Sequence, residues 1–210
     1  MPYLQPATNN YFGFQPASGA GMVNINLYLV SSSEANQISP GDVVVYATHT
    51  SASSVRRLTG STSTDAGIPV GVSASLVIAG AGSTGASLRS LTSQNVLVYD
   101  NPETLFVGCD TTSGVIGGGV AVGKSVWVCA TGVTGSTGLA SYNRSVMALS
   151  AVTASSQAIF RVIGLHPVEA GYSTVAAGTA AAATEVRKWI LQPDIHVNAG
   201  YGVATGHVTT

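Results

Sequence analysis

Charge is what this sequence has least of. Its 210 residues include 8 Lys and Arg and 9 Asp and Glu, so charged side chains make up 8%, where ordinary soluble domains carry roughly a quarter. Lys124 and Lys188 are its lysines. A formal net charge of −1 leaves no clustered basic face for phosphates, so nucleic acid is not an expected partner. Disorder does not explain the shortage, because 45% of residues are hydrophobic and the valines recur in clusters that can build a core. A surface so poor in charge does little to hold neighbours apart. It reads as a surface that other protein subunits cover.

Long apolar runs are missing too. No stretch approaches the ~18 continuous apolar residues of a membrane span, which argues against a membrane partner. The opening MPYLQPATNN has neither the basic nor the apolar segment of a secretory signal, so synthesis in a cytoplasm is expected. Cys109 and Cys129 are too few for a disulfide framework, and neither belongs to a Cys-x-x-Cys pair. Both sit beside apolar residues and read as small buried hydrophobes.

What is present is a series of short strand-like runs between turn residues. The central one is Ser93–Gly108, where Val96-Leu97-Val98-Tyr99 meets Asp100-Asn101-Pro102-Glu103 and then Leu105-Phe106-Val107. Asn101 and Pro102 suit the first two positions of a type I turn, with Asp100 as its polar shoulder, since proline fixes φ near the value the second position requires. Asn24–Val30, Val43–Tyr46, Ile68–Val72, Leu76–Ile78, Val120–Val128, Ser145–Leu149 and Ala158–Leu165 continue the series, with Ser39-Pro40-Gly41-Asp42 a strong turn signal. The spacing and β-branched content predict a mainly β fold with little helix, an antiparallel β-barrel or β-sandwich over residues 25–210. Ala176–Leu191 is the one stretch that could be a substantial helix. Gly178 interrupts it, and an Ala-rich loop leading into a strand at Trp189-Ile190-Leu191 is favoured.

Residues 1–24 differ. Pro2, Pro6 and Pro16 punctuate a segment holding Tyr3, Leu4, Tyr11, Phe12 and Phe14. Prolines and glycines block regular structure, yet the aromatics need somewhere dry. An extended arm lying along a partner subunit meets both demands, and an unattached terminus is the alternative.

Several motifs invite chemistry. Gly118–Ser125 matches the phosphate-loop pattern G-x-x-x-x-G-K-[ST], which works only where the loop opens a helix. Here Val126-Trp127-Val128 follow, which are strand formers. Gly80–Gly85 matches G-x-G-x-x-G with Asp100 beyond it at about the spacing of a ribose-binding acid, but no further βα units follow. There is no G-x-S-x-G elbow and no H-E-x-x-H helix. Asp194 and His196 with His166 could form a metal site, although scattered His and Asp more often satisfy local hydrogen bonds. No catalytic residue, cofactor or metal is therefore assigned, and the chain is not read as an enzyme.

VLVYDNPETLFVG, from Val96, resembles a segment of structural proteins of short-tailed bacteriophages, in which an apolar strand leads to an Asp-(Asp/Asn)-Pro turn and a Phe-containing strand. Phe160–Leu165 is similar to that group's F-R-[IV]-[IV]-G-L run, and Trp189–Asn198 stands where the group has its last strand and polar turn. The resemblance implies a β-rich capsid decoration, or cement, protein. Such a virion protein binds the major capsid protein on the outside of an icosahedral head, often as a homo-oligomer, with a trimer favoured. A head-fibre or receptor module that recognises host glycans is the alternative. The resemblance concerns fold positions and carries over no functional residue.

Overall fold

The computed structural model describes residues 13–17, 23–31, 34, 36–48, 51–59, 68–77, 95–109, 122–129, 145, 147–151, 158–166 and 188–194. Their strands are β1 (Gln15–Pro16), β2 (Ile25–Leu29), β3 (Val43–Thr48), β4 (Ser51–Arg57), β5 (Pro69–Ser73), β6 (Asn95–Tyr99), β7 (Phe106–Cys109), β8 (Ser125–Cys129), β9 (Ala148–Ala151), β10 (Phe160–Leu165) and β11 (Lys188–Pro193). They form two antiparallel sheets, of order β1-β7-β11-β10-β8-β9 and β2-β6-β5-β3-β4. The fold is mainly β and sandwich-like, with no helix among the described residues.

Two cores follow from the period-2 alternation of strand side chains. Val43, Val45 and Val72 of the five-stranded sheet meet Phe106, Val126, Trp127, Leu149, Phe160, Val162, Trp189 and Leu191 of the six-stranded sheet. The intervening residues Val44, Val70, Val96 and Val98 point the other way, into a second cluster with Val30, Ile38, Val55 and Val77. That second cluster is enclosed because the five-stranded sheet curls. Val30, just past β2, bridges Val55 of β4 at the opposite edge, and the Ser31 N–H donates to the Val55 carbonyl at 2.8 Å. One bridge is not a ladder, so the sheet is curled without being a closed barrel.

Asn101–Thr104 is the corner between the sheets. The Thr104 N–H donates to the Asn101 carbonyl at 3.0 Å, and the Glu103 N–H donates to Asn101 Oδ1 at 2.9 Å. This bond places Asn101 and Pro102 first and second in the turn, where proline's missing N–H costs nothing. The strands it joins, β6 and β7, lie in different sheets. The stretch around Asp100 is thus a crossing from one layer to the other.

Of residues 1–24, those described near the start are part of the sandwich. The Phe14 N–H donates to Gly41 O at 2.9 Å and the Ala17 N–H to Leu105 O at 2.8 Å, while Gln15 and Pro16 pair with Val107 and Phe106. Phe14 is 1% exposed, with its ring centroid 4.9 Å from that of Phe160. Gly108 makes room for it: a Cβ there would lie 2.5 Å from Phe14 Cε1. The side chain of Phe14 therefore belongs to this chain's own core and does not lie on a neighbour. Tyr3, Leu4, Tyr11 and Phe12 lie outside the described residues.

Candidate functional site

Three aspartates, Asp42, Asp100 and Asp194, join strands that are distant in sequence. Asp42, 1% exposed, follows the Pro40-Gly41 turn, where Gly41 takes a φ of 92° that side chains disfavour. Its Oδ2 accepts from Arg57 Nε at 2.9 Å and from the Ser39 N–H at 2.8 Å. Its Oδ1 accepts from Ser145 Oγ at 2.6 Å. The carboxylate thus ties the start of β3 to the end of β4 and to the segment that enters β9 in the other sheet. Ser145 is equally buried and also accepts from the Met147 N–H at 3.2 Å. A hydroxyl so enclosed is a fastener between sheets.

Asp100, the shoulder of the corner, is buried and accepts on one oxygen from both Asn26 Nδ2, at 2.8 Å, and Tyr28 OH, at 2.7 Å. Both donors project from β2, so Asp100 pins that edge strand to the end of β6. Asp194 accepts from Ser125 Oγ at 2.6 Å and pairs with Arg161 at 3.4 Å. This last pair is largely solvated and contributes little on its own.

Among the described residues the chemistry-bearing motifs are not assembled into a site. Lys124 and Ser125 of the phosphate-loop match lead into strand β8, so no helix N-terminus faces a phosphate there. Gly80–Gly85 and His196 lie outside the described residues. Phe160 pairs with Pro193 and Leu165 with Trp189, and the His166 N–H donates to Lys188 O, which places Asp194 and His166 at opposite ends of the β10–β11 pair, roughly 20 Å apart at ~3.4 Å per residue. No cluster of metal-ligating residues occurs among the described residues. No helix among them is long and apolar enough to cross a membrane.

The feature that calls for a ligand is apolar. Ile25, Leu27 and Leu29 project from one face of β2, and Leu97, the partner of Leu27 in register, projects beside them. All four are exposed, Leu27 at 62%. Their face is also that of Val72 and Tyr99, which pair across β5 and β6 and turn toward the six-stranded sheet. The convex side of the curled sheet is therefore mostly apolar, with Asn95 opposite Leu29 and Arg56 opposite Val45 among its polar positions. The six-stranded layer covers its β3–β5 part, and its β2–β6 part remains as a ledge. Alternation alone points Leu27 to a sheet face and could have suggested this. What the sequence did not reveal is which layer stops short of it. Contiguous exposed apolar surface of this kind marks an interaction site.

No family model, curated protein or solved structure matches this chain.

Proposed function

We propose that this chain is a capsid decoration protein that binds the outside of an icosahedral bacteriophage head. Its partner is the major capsid protein, and it acts as a homo-oligomer at the virion surface. The observation that carries this reading is the ledge of Ile25, Leu27, Leu29 and Leu97 on a chain with 8% charged residues. A protein that covers subunit junctions needs neutral surface tolerant of burial and a rigid apolar face on which to dock. The β2 donors held by Asp100 supply that rigidity, because a preorganised surface loses less entropy on binding. The resemblance of Val96–Gly108 and Phe160–Leu165 to decoration proteins points the same way.

No bond-making step is involved. A ligand that binds only the assembled shell lowers the free energy of that state by mass action, by about 2.7 kcal/mol at a hundredfold excess over Kd. Imaging purified particles by electron microscopy and measuring the ratio of this chain to the major shell protein tests the reading. Uniform coverage of the head at a fixed ratio is expected. Density confined to fibres, together with glycan binding by the isolated protein, would replace it with the receptor-module reading.

A further inference from the structure

The ledge lies within reach of this chain's own first residues. Phe14 is fixed between the sheets, with its N–H on the Gly41 carbonyl at 2.9 Å and its ring in the shared core. Gly13 is wedged at the rim, where a Cβ would collide with Ser145 and lie 2.6 Å from Gly41 O. Residues 1–12 therefore start from that rim. From Gly41 the five-stranded sheet leads to the ledge: the Gly41 N–H donates to Ser73 O, the Ala74 N–H donates to Leu97 O, and Leu97 pairs with Leu27. Leu97 is two strand spacings from Gly41 and Leu27 is three, about 10 and 14 Å at ~4.8 Å per spacing. The ledge also turns to the same side of that sheet as Phe14, the side facing the six-stranded layer.

We infer that residues 1–12 cover the ledge of their own chain, as a strap that the capsid protein displaces. A segment of that length spans at most ~40 Å when extended. Tyr3 and Leu4 thus have the length to reach Leu27 and Ile25, and Tyr11 and Phe12 that to reach Leu97. The segment MPYLQPATNNYF contains no Asp, Glu, Lys or Arg, and its large apolar and aromatic side chains suit a ledge whose exposed residues, Ile25, Leu27, Leu29 and Leu97, are all aliphatic. Tethering in cis supplies an effective concentration on the order of millimolar, so a weak contact is enough. Such a strap keeps an apolar face from meeting other copies, on a chain whose charge does little to hold them apart. The displacement alone rests on the shell-binding reading, whereas the coverage is a property of the free chain.

Nuclear Overhauser spectra of the full chain with isotope-labelled leucine methyls test it with no shell present. Cross-peaks from the rings of Tyr3, Tyr11 or Phe12 to the Leu27 or Leu97 methyls are expected, assigned by their loss in Leu27→Ala and Leu97→Ala. In a mixture of labelled and unlabelled chains, filtering for contacts between chains should remove them. Replacing Tyr3 and Leu4 together by serine should raise the fluorescence of a dye that binds exposed apolar surface at least threefold, and Leu27→Ser in that background should reverse most of the rise. Absence of the cross-peaks, their survival in the between-chain filter, or dye binding indifferent to the serine changes overturns the inference. None of these results bears on whether shells bind the chain, which co-sedimentation measures separately.

Discussion

Replacing Asp42 by alanine should be among the most damaging single changes outside the apolar core. The substitution removes the acceptor of three donors at once: Arg57 Nε, the Ser39 N–H and Ser145 Oγ. Removing one member of a buried ion pair costs about 3–5 kcal/mol, because the remaining charge is left without compensation. Arg57 keeps 15% of its side-chain surface in water, so part of its charge can rehydrate and the lower end, about 3 kcal/mol, applies to the pair. The enclosed Ser145 hydroxyl adds about 1–3 kcal/mol for a donor left unsatisfied, less than additively because the groups share one network. The expected total of about 3–5 kcal/mol corresponds to a fall in Tm of roughly 6–20 °C for a chain of this size. Urea titration followed by tryptophan fluorescence reads it well, since Trp127 and Trp189 are both buried in the core between the sheets. A double-mutant cycle with Ser145→Ala should return a coupling above about 0.5 kcal/mol. A loss under about 1 kcal/mol for Asp42→Ala, or no coupling to Ser145, would refute the view that this carboxylate fastens the sheets.

Three further outcomes follow from the same geometry. Gly108→Ala should cost about 1–3 kcal/mol by overpacking, since the new Cβ meets Phe14 and Leu191, whereas Gly164→Ala, with open space around it, should stay within about 0.5 kcal/mol; paired thermal melts decide. Asp100→Ala should release β2, at a cost of about 2–3 kcal/mol from two hydrogen bonds to a charged acceptor, and hydrogen exchange should rise first in the amides of Ile25–Leu29. Arg161→Ala should change stability by less than about 1 kcal/mol, because its pair with Asp194 is solvated, and the same melts check it.

The strands legible in the sequence are those with dense β-branched runs. Val43–Val45, Val70–Val72, Val96–Tyr99 and Phe160–Leu165 all lie in strands, because burial on one or both faces leaves its pattern on composition. β4 escaped notice: Ser51–Arg57 is an edge strand whose buried apolar residue is Val55, so its alternation carries almost no hydrophobic signal. β1 was hidden for another reason, since two residues held by Val107 and Phe106 have no period at all. The turn at Asn101-Pro102 was readable from local chemistry, but its role as a crossing between sheets depends on β6 pairing with β2 and β5 while β7 pairs with β1 and β11, strands distant in sequence. The Asp42 network was invisible for the same reason, because its Ser145 donor is 103 residues distant. Phe14 read as an aromatic needing a dry place, and its place is beside Gly108, a complementarity that only packing exposes.

Binding to shells tests the proposed function most directly. Purified heads lacking this chain, titrated with the wild-type protein and with Leu97→Lys and assayed by co-sedimentation, report affinity and occupancy together. Leu97 lies on the ledge one strand in from the edge and is already exposed, so the substitution spares both the fold and the β2 edge. The account predicts saturable binding at a fixed ratio to the major capsid protein, weakened at least tenfold by Leu97→Lys, in line with about 1.4 kcal/mol or more of lost apolar burial. Wild-type protein that fails to saturate the shell, or a Leu97→Lys variant that binds as tightly as wild type, would contradict it.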